Sequence, residues 1–251
     1  MKFTVLGRNG FIGSALYSKL QTIGQVYNYL RPDVDVVFHF ASPSSKILFN
    51  YSLDYSVDET ISSFLNIVRY CREYNIKLVY PSSATIYTPM NSYAYTKKAL
   101  ENIHLAYGGD ILGLRIFAGY GVGEEHKGEY ASIVYKFCKE MINDERPSVF
   151  EDGSQTRDFI YIDDIVDTII NNLNKTGIID VGTGVNTTFN KIINLINKNL
   201  NKNIKPVYIG EIENYPMHTV CKNPIKSFIP VEEGIKKVCD FLKSLDKKES
   251  K

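Results

Sequence analysis

Apolar residues along this chain fall into two alternating kinds of run. Short runs rich in apolar residues occupy 2–6 (KFTVL), 35–41 (DVVFHFA), 76–80 (IKLVY) and 111–117 (ILGLRIF). Consecutive apolar positions fit strands that are covered on both faces, as in a parallel sheet. Between them the apolar period lengthens. In residues 56–74, Val57, Ile61, Phe64, Leu65 and Val68 recur at helical spacing, and residues 93–107 read the same way. Asp58 and Glu59 occupy the first turn of 56–74, where the helix dipole favours anions, and Asn75 is a stop signal. A first helix is predicted over 14–23, ended by Gly24. Alternation of strand and helix predicts an α/β chain with a doubly wound parallel sheet. One step is too short. Only residues 25–34 lie between the first helix and the run at 35–41, whereas a parallel strand and its crossover need at least about 10 to 12 residues beyond the strand itself. The region of the second and third strands is therefore read as truncated.

After Phe117 the pattern changes to a glycine-rich stretch and a helix with Ile133, Val134, Phe137 and Met141 on one face. Residues 147–162 read as two short strands around an Asp152-Gly153-Ser154 turn, then a helix capped by Asp163 and Asp164 and a strand at 178–181. The tail adds a helix with Phe189, Ile192, Ile193 and Ile196 in register and a strand near Val207. A last helix carries Ile235, Val238, Cys239 and Leu242, and residues 247–251 are expected to fray. These elements predict a small C-terminal α/β lobe. The division is 1–117 with about 158–184 for the first domain, and 118–157 with 185–251 for the second.

The run at 2–6 breaks into glycine at Gly7, Gly10 and Gly13. Gly7 suits the tight turn, Gly10 the close approach of a pyrophosphate, and Gly13 close packing of the helix on the strand. A helix N-terminus there would offer N–H groups and positive dipole to phosphate. A plain strand-turn-helix without ligand fits the same glycines, so other residues must decide.

Charge and composition remove whole classes of function. Lys and Arg number 29 against 28 Asp and Glu, leaving +1, which gives no global field for nucleic acid or an anionic membrane. No apolar run approaches the roughly 20 residues of a membrane span. The N-terminal residues lack the zones of a secretory signal, so a cytoplasmic location is expected. Cys71, Cys138, Cys221 and Cys239 are scattered, with no Cys-x-x-Cys pair, so buried thiols are expected and no metal site.

The strand at 76–80 leads into Ser82 and Ser83, at the edge where parallel sheets bind ligands, and Tyr93 and Lys97 follow four apart on one helix face. A cation beside Tyr93 would favour its phenolate, and Ser83 could hydrogen-bond the same substrate oxygen. Ordinary helix residues are the competing reading for Tyr93 and Lys97; the glycine turn upstream weighs against it.

Together, Gly7-Arg8-Asn9-Gly10-Phe11-Ile12-Gly13, His39-Phe40-Ala41, Ser82 to Tyr87, Tyr93-x-x-x-Lys97, Leu114 to Phe117, Gly153 to Asp164 and Asp180 to Gly184 resemble the extended short-chain dehydrogenase/reductases, in particular their nucleotide-sugar epimerase/dehydratase family. The resemblance implies a Rossmann fold, a catalytic Ser83, Tyr93 and Lys97, and dinucleotide contacts from residues 7–13, Phe40, Ala41, Ser42, Tyr93 and Lys97. It also implies a nucleotide-sugar substrate held by Ser83, Thr85 and Arg157, with Arg157 on the diphosphate; an ion pair with Asp158 or Asp163 is the other reading of that arginine. Glu125 to Gly128 with Ala131 and Ser132 resembles ADP-glyceromanno-heptose 6-epimerases, and His126 and Lys127 could reach substrate from the second lobe or lie in a solvated loop. UDP-glucose 4-epimerases are the other close likeness. Dehydratases of the family carry an Asp-Glu pair where this chain has Ala84 and Thr85, which disfavours dehydration. Truncation removes the acidic residue that would hold the ribose of NAD, and Arg8 and Arg31 tilt the expected cofactor from NAD toward NADP. The expected function is an NAD(P)-dependent nucleotide-sugar epimerase, with a keto-sugar reductase using NADPH or a non-catalytic nucleotide-binding relative as alternatives. A homodimer through the helices at 57–74 and 93–107 is implied by the resemblance.

Overall fold

The computed structural model describes residues 1–44, 46–88, 91–210 and 217–249. In chain order the elements begin with β1 (Lys2–Leu6), α1 (Phe11–Leu20), β2 (Gln25–Tyr27), β3 (Val36–His39), α2 (Lys46–Tyr51), α3 (Leu53–Glu73), β4 (Lys77–Ser83), α4 (Ser92–Tyr107) and β5 (Ile111–Ile116). They continue with β6 (Ala118–Tyr120), α5 (Ile133–Ile142), β7 (Ser148–Phe150), β8 (Thr156–Tyr161), α6 (Ile162–Asn171), β9 (Gly177–Val181), β10 (Asn186–Thr188), α7 (Phe189–Leu200), β11 (Val207–Ile209) and α8 (Val231–Glu249). Two compact units result: Met1–Ile116 with Ile165–Val181, and Phe117–Asp164 with Gly182–Lys251.

The first unit is a six-stranded parallel sheet in the order β2-β1-β3-β4-β5-β9. Its strands are apolar because both faces are covered: all four residues of β3 are buried, as are Phe3, Thr4 and Val5 of β1. The stripe of α3 formed by Phe64, Ile67, Val68 and Cys71 packs with Leu78 and Tyr80 of β4, Leu100 of α4 and Ile111 of β5. This core fixes the strand ends that carry the chemistry.

The short stretch after α1 is reduced without being emptied. Gln25–Tyr27 forms an edge strand in register with Lys2, Phe3 and Thr4, so one strand remains beyond β1 where a truncation of two was expected. Residues 28–35 then pass over β1 without a helix. Eight extended residues reach about 27 Å, ample for a sideways shift of about 10 Å across two strand spacings plus the run back to the start of β3. The passage is stitched to β1 by Thr4 Oγ1 donating to the Tyr29 carbonyl at 3.0 Å, by Asp35 N to the Lys2 carbonyl at 2.9 Å, and by Lys2 N to the Asp35 carboxylate at 2.8 Å. Leu30 and Val34 from this passage pack on the α3 core. An extended segment thus covers the face that a crossover helix would.

The second unit holds a β10-β8-β6 sheet, antiparallel at β10 and parallel at β6, and a parallel β11-β7 pair. Val134, Phe137 and Met141 of α5, Phe189, Ile192, Ile193 and Ile196 of α7, and Ile235, Val238, Cys239 and Leu242 of α8 are buried, as their spacing predicts. Helix α8 runs through Glu249, into residues expected to fray; residues 250 and 251 lie outside the described residues. All four cysteines are buried thiols, with the Cys138 and Cys239 sulfurs 3.5 Å apart. Among the described residues no helix is long and apolar enough to cross a membrane.

Candidate active site

The glycine turn has the shape its spacing requires. Gly7 adopts φ +86, and a Cβ there would lie 2.5 Å from the Phe40 carbonyl carbon and 2.6 Å from the Ala41 nitrogen. At Gly13 a Cβ would lie 2.1 Å from the Gly7 carbonyl oxygen, so α1 can sit this close only with glycine. Gly10 differs: its nearest contact would be that same oxygen at 3.3 Å. The turn is closed by Gly10 N donating to Gly7 O at 2.9 Å. Gly10 caps α1 without a side-chain hydrogen bond, and no acidic residue occupies the first turn, so nothing in that turn neutralises the positive end of the helix. Backbone packed to the limit behind the turn, with a bare helix start in front, fits a pyrophosphate. Of the two arginines expected at the cofactor, Arg8, within the turn, stacks on Tyr17 at 5.6 Å. Arg31 is held by Asp33 through bonds of 2.8 and 3.1 Å and lies 4.5 Å from the Tyr27 ring centre.

The same edge of the sheet brings Ser42, Ser83, Thr85, Tyr93 and Lys97 together. Lys97 is 2% exposed, and its ammonium donates to Ser42 Oγ at 3.1 Å and to the Pro81 carbonyl at 3.4 Å. It lies 5.7 Å from the centre of the Tyr93 ring. Ser83 Oγ accepts the Thr85 N–H at 3.2 Å and the Thr85 hydroxyl at 3.0 Å. Two acceptances fill its lone pairs, so the one Ser83 proton is left to donate. Tyr93 lies within its reach: burial pushes the phenol above its ordinary value and the Ser83 hydroxyl pulls it down, with burial winning. Burial also lowers Lys97 to about 8. With Lys97 beside it and Ser83 within reach, the buried phenol is still held above its ordinary value in the chain alone. Phe49 of α2, 1% exposed, packs edge-on against Tyr93 with ring centres 5.5 Å apart. No periodicity in the sequence had pointed to α2.

Two further features went unread in the sequence. His39, 5% exposed, has its Nε2 3.3 Å from Ser63 Oγ and stacks on Phe64, and its Nδ1 has no partner among the described residues. Burial and then Lys97 lower it to about 4. Beneath the site, Glu101 of α4 accepts from Ser82 and Arg115, and Arg115 reaches Tyr87, whose hydroxyl donates to Asp180 at 2.6 Å. Glu101 stands four residues after Lys97, a spacing that would have exposed it.

The remaining expected residues belong to the second unit. His126 is exposed on a 3-10 turn, Glu125–Tyr130, and the Lys127 ammonium meets the buried Glu124 carboxylate at 3.0 Å. Glu124 also accepts from Gly121 N, Ser132 N and Ser132 Oγ, which anchors the loop. Arg157 donates to the carbonyls of Thr156 at 2.8 Å and Met217 at 3.3 Å and lies over Phe189. The Asp158 carboxylate accepts from Thr183, Gly184 and Cys221.

Known proteins are similar to this chain in sequence and in fold. An ADP-L-glycero-D-manno-heptose-6-epimerase of Brachyspira hyodysenteriae is 30% identical over 213 residues, 70% of this chain and 66% of that protein. A UDP-glucuronate 4-epimerase of Thermodesulfobacterium geofontis is 30% identical over 216 residues, 77% of this chain and 64% of its own length, so the chain spans just under two thirds of both relatives. The solved structure of a UDP-N-acetylglucosamine 4-epimerase from Methanobrevibacter ruminantium M1, in complex with UDP-N-acetylmuramic acid, superposes with a TM-score of 0.87 at 24% identity. It covers 97% of this chain and 98% of that one. Residues 24–182 match the model of a single family, a stretch that holds β3, the Ser83, Tyr93 and Lys97 group and Arg157. With fold, site and match in agreement, the chain belongs to the NAD dependent epimerase/dehydratase family.

Proposed function

We propose that this chain interconverts epimers of a nucleotide sugar by taking a hydride from a sugar carbon and returning it to the opposite face. One observation carries the reading, a continuous path along the sheet edge. Gly7 packs on Phe40 and Ala41, Ser42 holds Lys97, Lys97 lies over Tyr93, and Tyr93 lies within reach of Ser83. The backbone of Gly7 to Gly13 would hold the pyrophosphate of a dinucleotide, and Ser42, Tyr93 and Lys97 its nicotinamide half. Bound there, the dinucleotide supplies the hydride acceptor and donor. Tyr93 takes the proton of the sugar hydroxyl being oxidised and later gives it back. Ser83 donates to the same oxygen as charge develops on it. Lys97, cationic at pH 7 with a value of about 8, steadies the phenolate.

The named relatives act on ADP- and UDP-linked sugars, which supports a nucleoside diphosphate sugar as substrate, with Arg157 assigned to its diphosphate and His126, Lys127 and Thr85 to the sugar side. Ala84 and Thr85 supply no carboxylic acid after Ser83, which favours epimerisation over dehydration. NAD is the proposed cofactor. The family description favours it, and Arg31 is engaged by Asp33, so a 2′-phosphate would depend on Arg8. A homodimer across α3 and α4 is part of the proposal, supported by exposed Tyr55, Tyr95 and Leu105, as is a cytoplasmic location, supported by four buried thiols.

Mass spectrometry of the nucleotide released from acid-denatured, freshly purified protein tests the cofactor. NAD near one per chain is expected. NADP near one per chain would change the cofactor and keep the epimerase, an empty site that binds NADPH would replace the epimerase with a reductase, and binding of neither would end the enzymatic reading.

A further inference from the structure

Tyr93, Lys97 and Glu101 stand at intervals of four along α4, on one stripe of the helix. Each meets the end of β4: Tyr93 lies within reach of Ser83, Lys97 donates to the Pro81 carbonyl, and Glu101 Oε1 accepts from the Ser82 hydroxyl at 2.6 Å. Successive strand residues point to opposite faces, so Ser82 turns away from the side that Ser83 serves. Glu101 is fully buried, and a bare buried carboxylate would be costly. Arg115 of β5, which is in register with Ser82, answers it with two parallel bonds, Nε to Oε1 and Nη2 to Oε2, both 2.9 Å. The same guanidinium donates to the Tyr87 hydroxyl at 2.9 Å, and Tyr87 ends the turn that carries Thr85.

We propose that Glu101 is a positioning residue: its carboxylate, fixed by Arg115, holds Ser82 and so sets the strand end that presents Ser83 to Tyr93. The helix stripe and the strand end are then held in one register by the Lys97 and Glu101 bonds, and of the three stripe residues only Glu101 lies clear of the reacting groups. The Glu101 charge is matched by Arg115, so its effect is geometric. This inference rests on reading Ser83, Tyr93 and Lys97 as the catalytic group.

The test uses the full chain loaded with NAD, UDP-glucose and UDP-N-acetylglucosamine as probes, and tyrosine labelled with 13C at Cζ, the Tyr93 signal being identified by its loss in Tyr93→Phe. Ser82→Ala removes the bond to Glu101 and leaves the Glu101 and Arg115 pair intact. It is expected to lower kcat about tenfold with KM unchanged, the worth of one hydrogen bond to a charged group, and to move the Tyr93 Cζ shift. Ser82→Thr keeps the hydroxyl and is expected to keep both the rate and the shift. Glu101→Gln is expected to act as Ser82→Ala does; if it fails to fold, the serine variants decide. An unchanged Tyr93 signal with unchanged kcat per folded molecule in Ser82→Ala would overturn the inference. Where the wild type turns over neither probe, the function is at fault and the Tyr93 signal alone decides for or against Glu101.

Discussion

Thr85 bonds Ser83 twice, through its amide at 3.2 Å and its hydroxyl at 3.0 Å, and so settles which way the Ser83 proton points. Thr85→Val keeps the shape and the amide bond and removes the second. The Ser83 rotor then gains a competing orientation. With a hydrogen bond worth about 1 kcal/mol, kcat for a turned-over UDP-sugar should fall about fivefold with little change in KM. An unchanged kcat would mean that the pair does not orient Ser83.

The glycines of the turn separate folding from ligand binding. Gly13→Ala sets a Cβ 2.1 Å from the Gly7 carbonyl oxygen, and the resulting strain should cost about 1–3 kcal/mol, lowering Tm by several degrees. Gly10→Ala meets nothing nearer than 3.3 Å, so it should fold nearly as well as the wild type yet bind NAD at least about tenfold more weakly. Thermal unfolding and NAD titration of the two proteins check the contrast. Equal affinity in Gly10→Ala would place the phosphates elsewhere.

His39 makes stability depend on pH. Its folded value is about 4 against an ordinary 6.5, through burial first and then Lys97. Between those values the unfolded chain binds the proton more readily, so the contribution is complete above pH 6.5 and is lost as pH falls toward 4. From pH 7 to pH 5 the loss from this group should be about 2 kcal/mol. Urea unfolding of the wild type and His39→Asn at both values measures it: the wild type should lose about that much more than the variant.

Tyr120 of β6 is fully buried, and its hydroxyl has no hydrogen-bond partner among the described residues. It faces Gly234 of α8, where a Cβ would lie 2.0 Å from the phenolic oxygen. Tyr120→Phe removes a desolvated hydroxyl and keeps the ring contacts with Phe159 and Tyr161. It should stabilise the protein by about 1 kcal/mol, raising Tm by about 2–4 °C. A lower Tm would reveal a partner for that hydroxyl.

The parts of the fold governed by local pattern were legible in the sequence. Strands covered on both faces announce themselves as apolar runs, and the spacing of Tyr93 and Lys97 places them on one helix face. Strand β2 was hidden because three residues, Gln25, Val26 and Tyr27, at a half-exposed edge carry no period. The helix holding Phe49 was hidden for the same reason of length. The bonds from Glu101 to Ser82 and Arg115 join α4, β4 and β5, which only the folded sheet brings together. The nearness of Lys97 to Tyr93 follows from their spacing, whereas the water lost around both follows only from the fold.

The account stands on hydride removed and returned within one site with Tyr93 as the base. Its most direct test incubates the chain in deuterium oxide with UDP-glucose, UDP-N-acetylglucosamine or ADP-glyceromanno-heptose and follows the sugar by proton NMR. The expected result is one substrate converted to its epimer with no deuterium at the inverted carbon and no net cofactor consumed, and a loss of at least about 100-fold in Tyr93→Phe. Deuterium at that carbon, stoichiometric consumption of reduced cofactor, or full activity in Tyr93→Phe would contradict it.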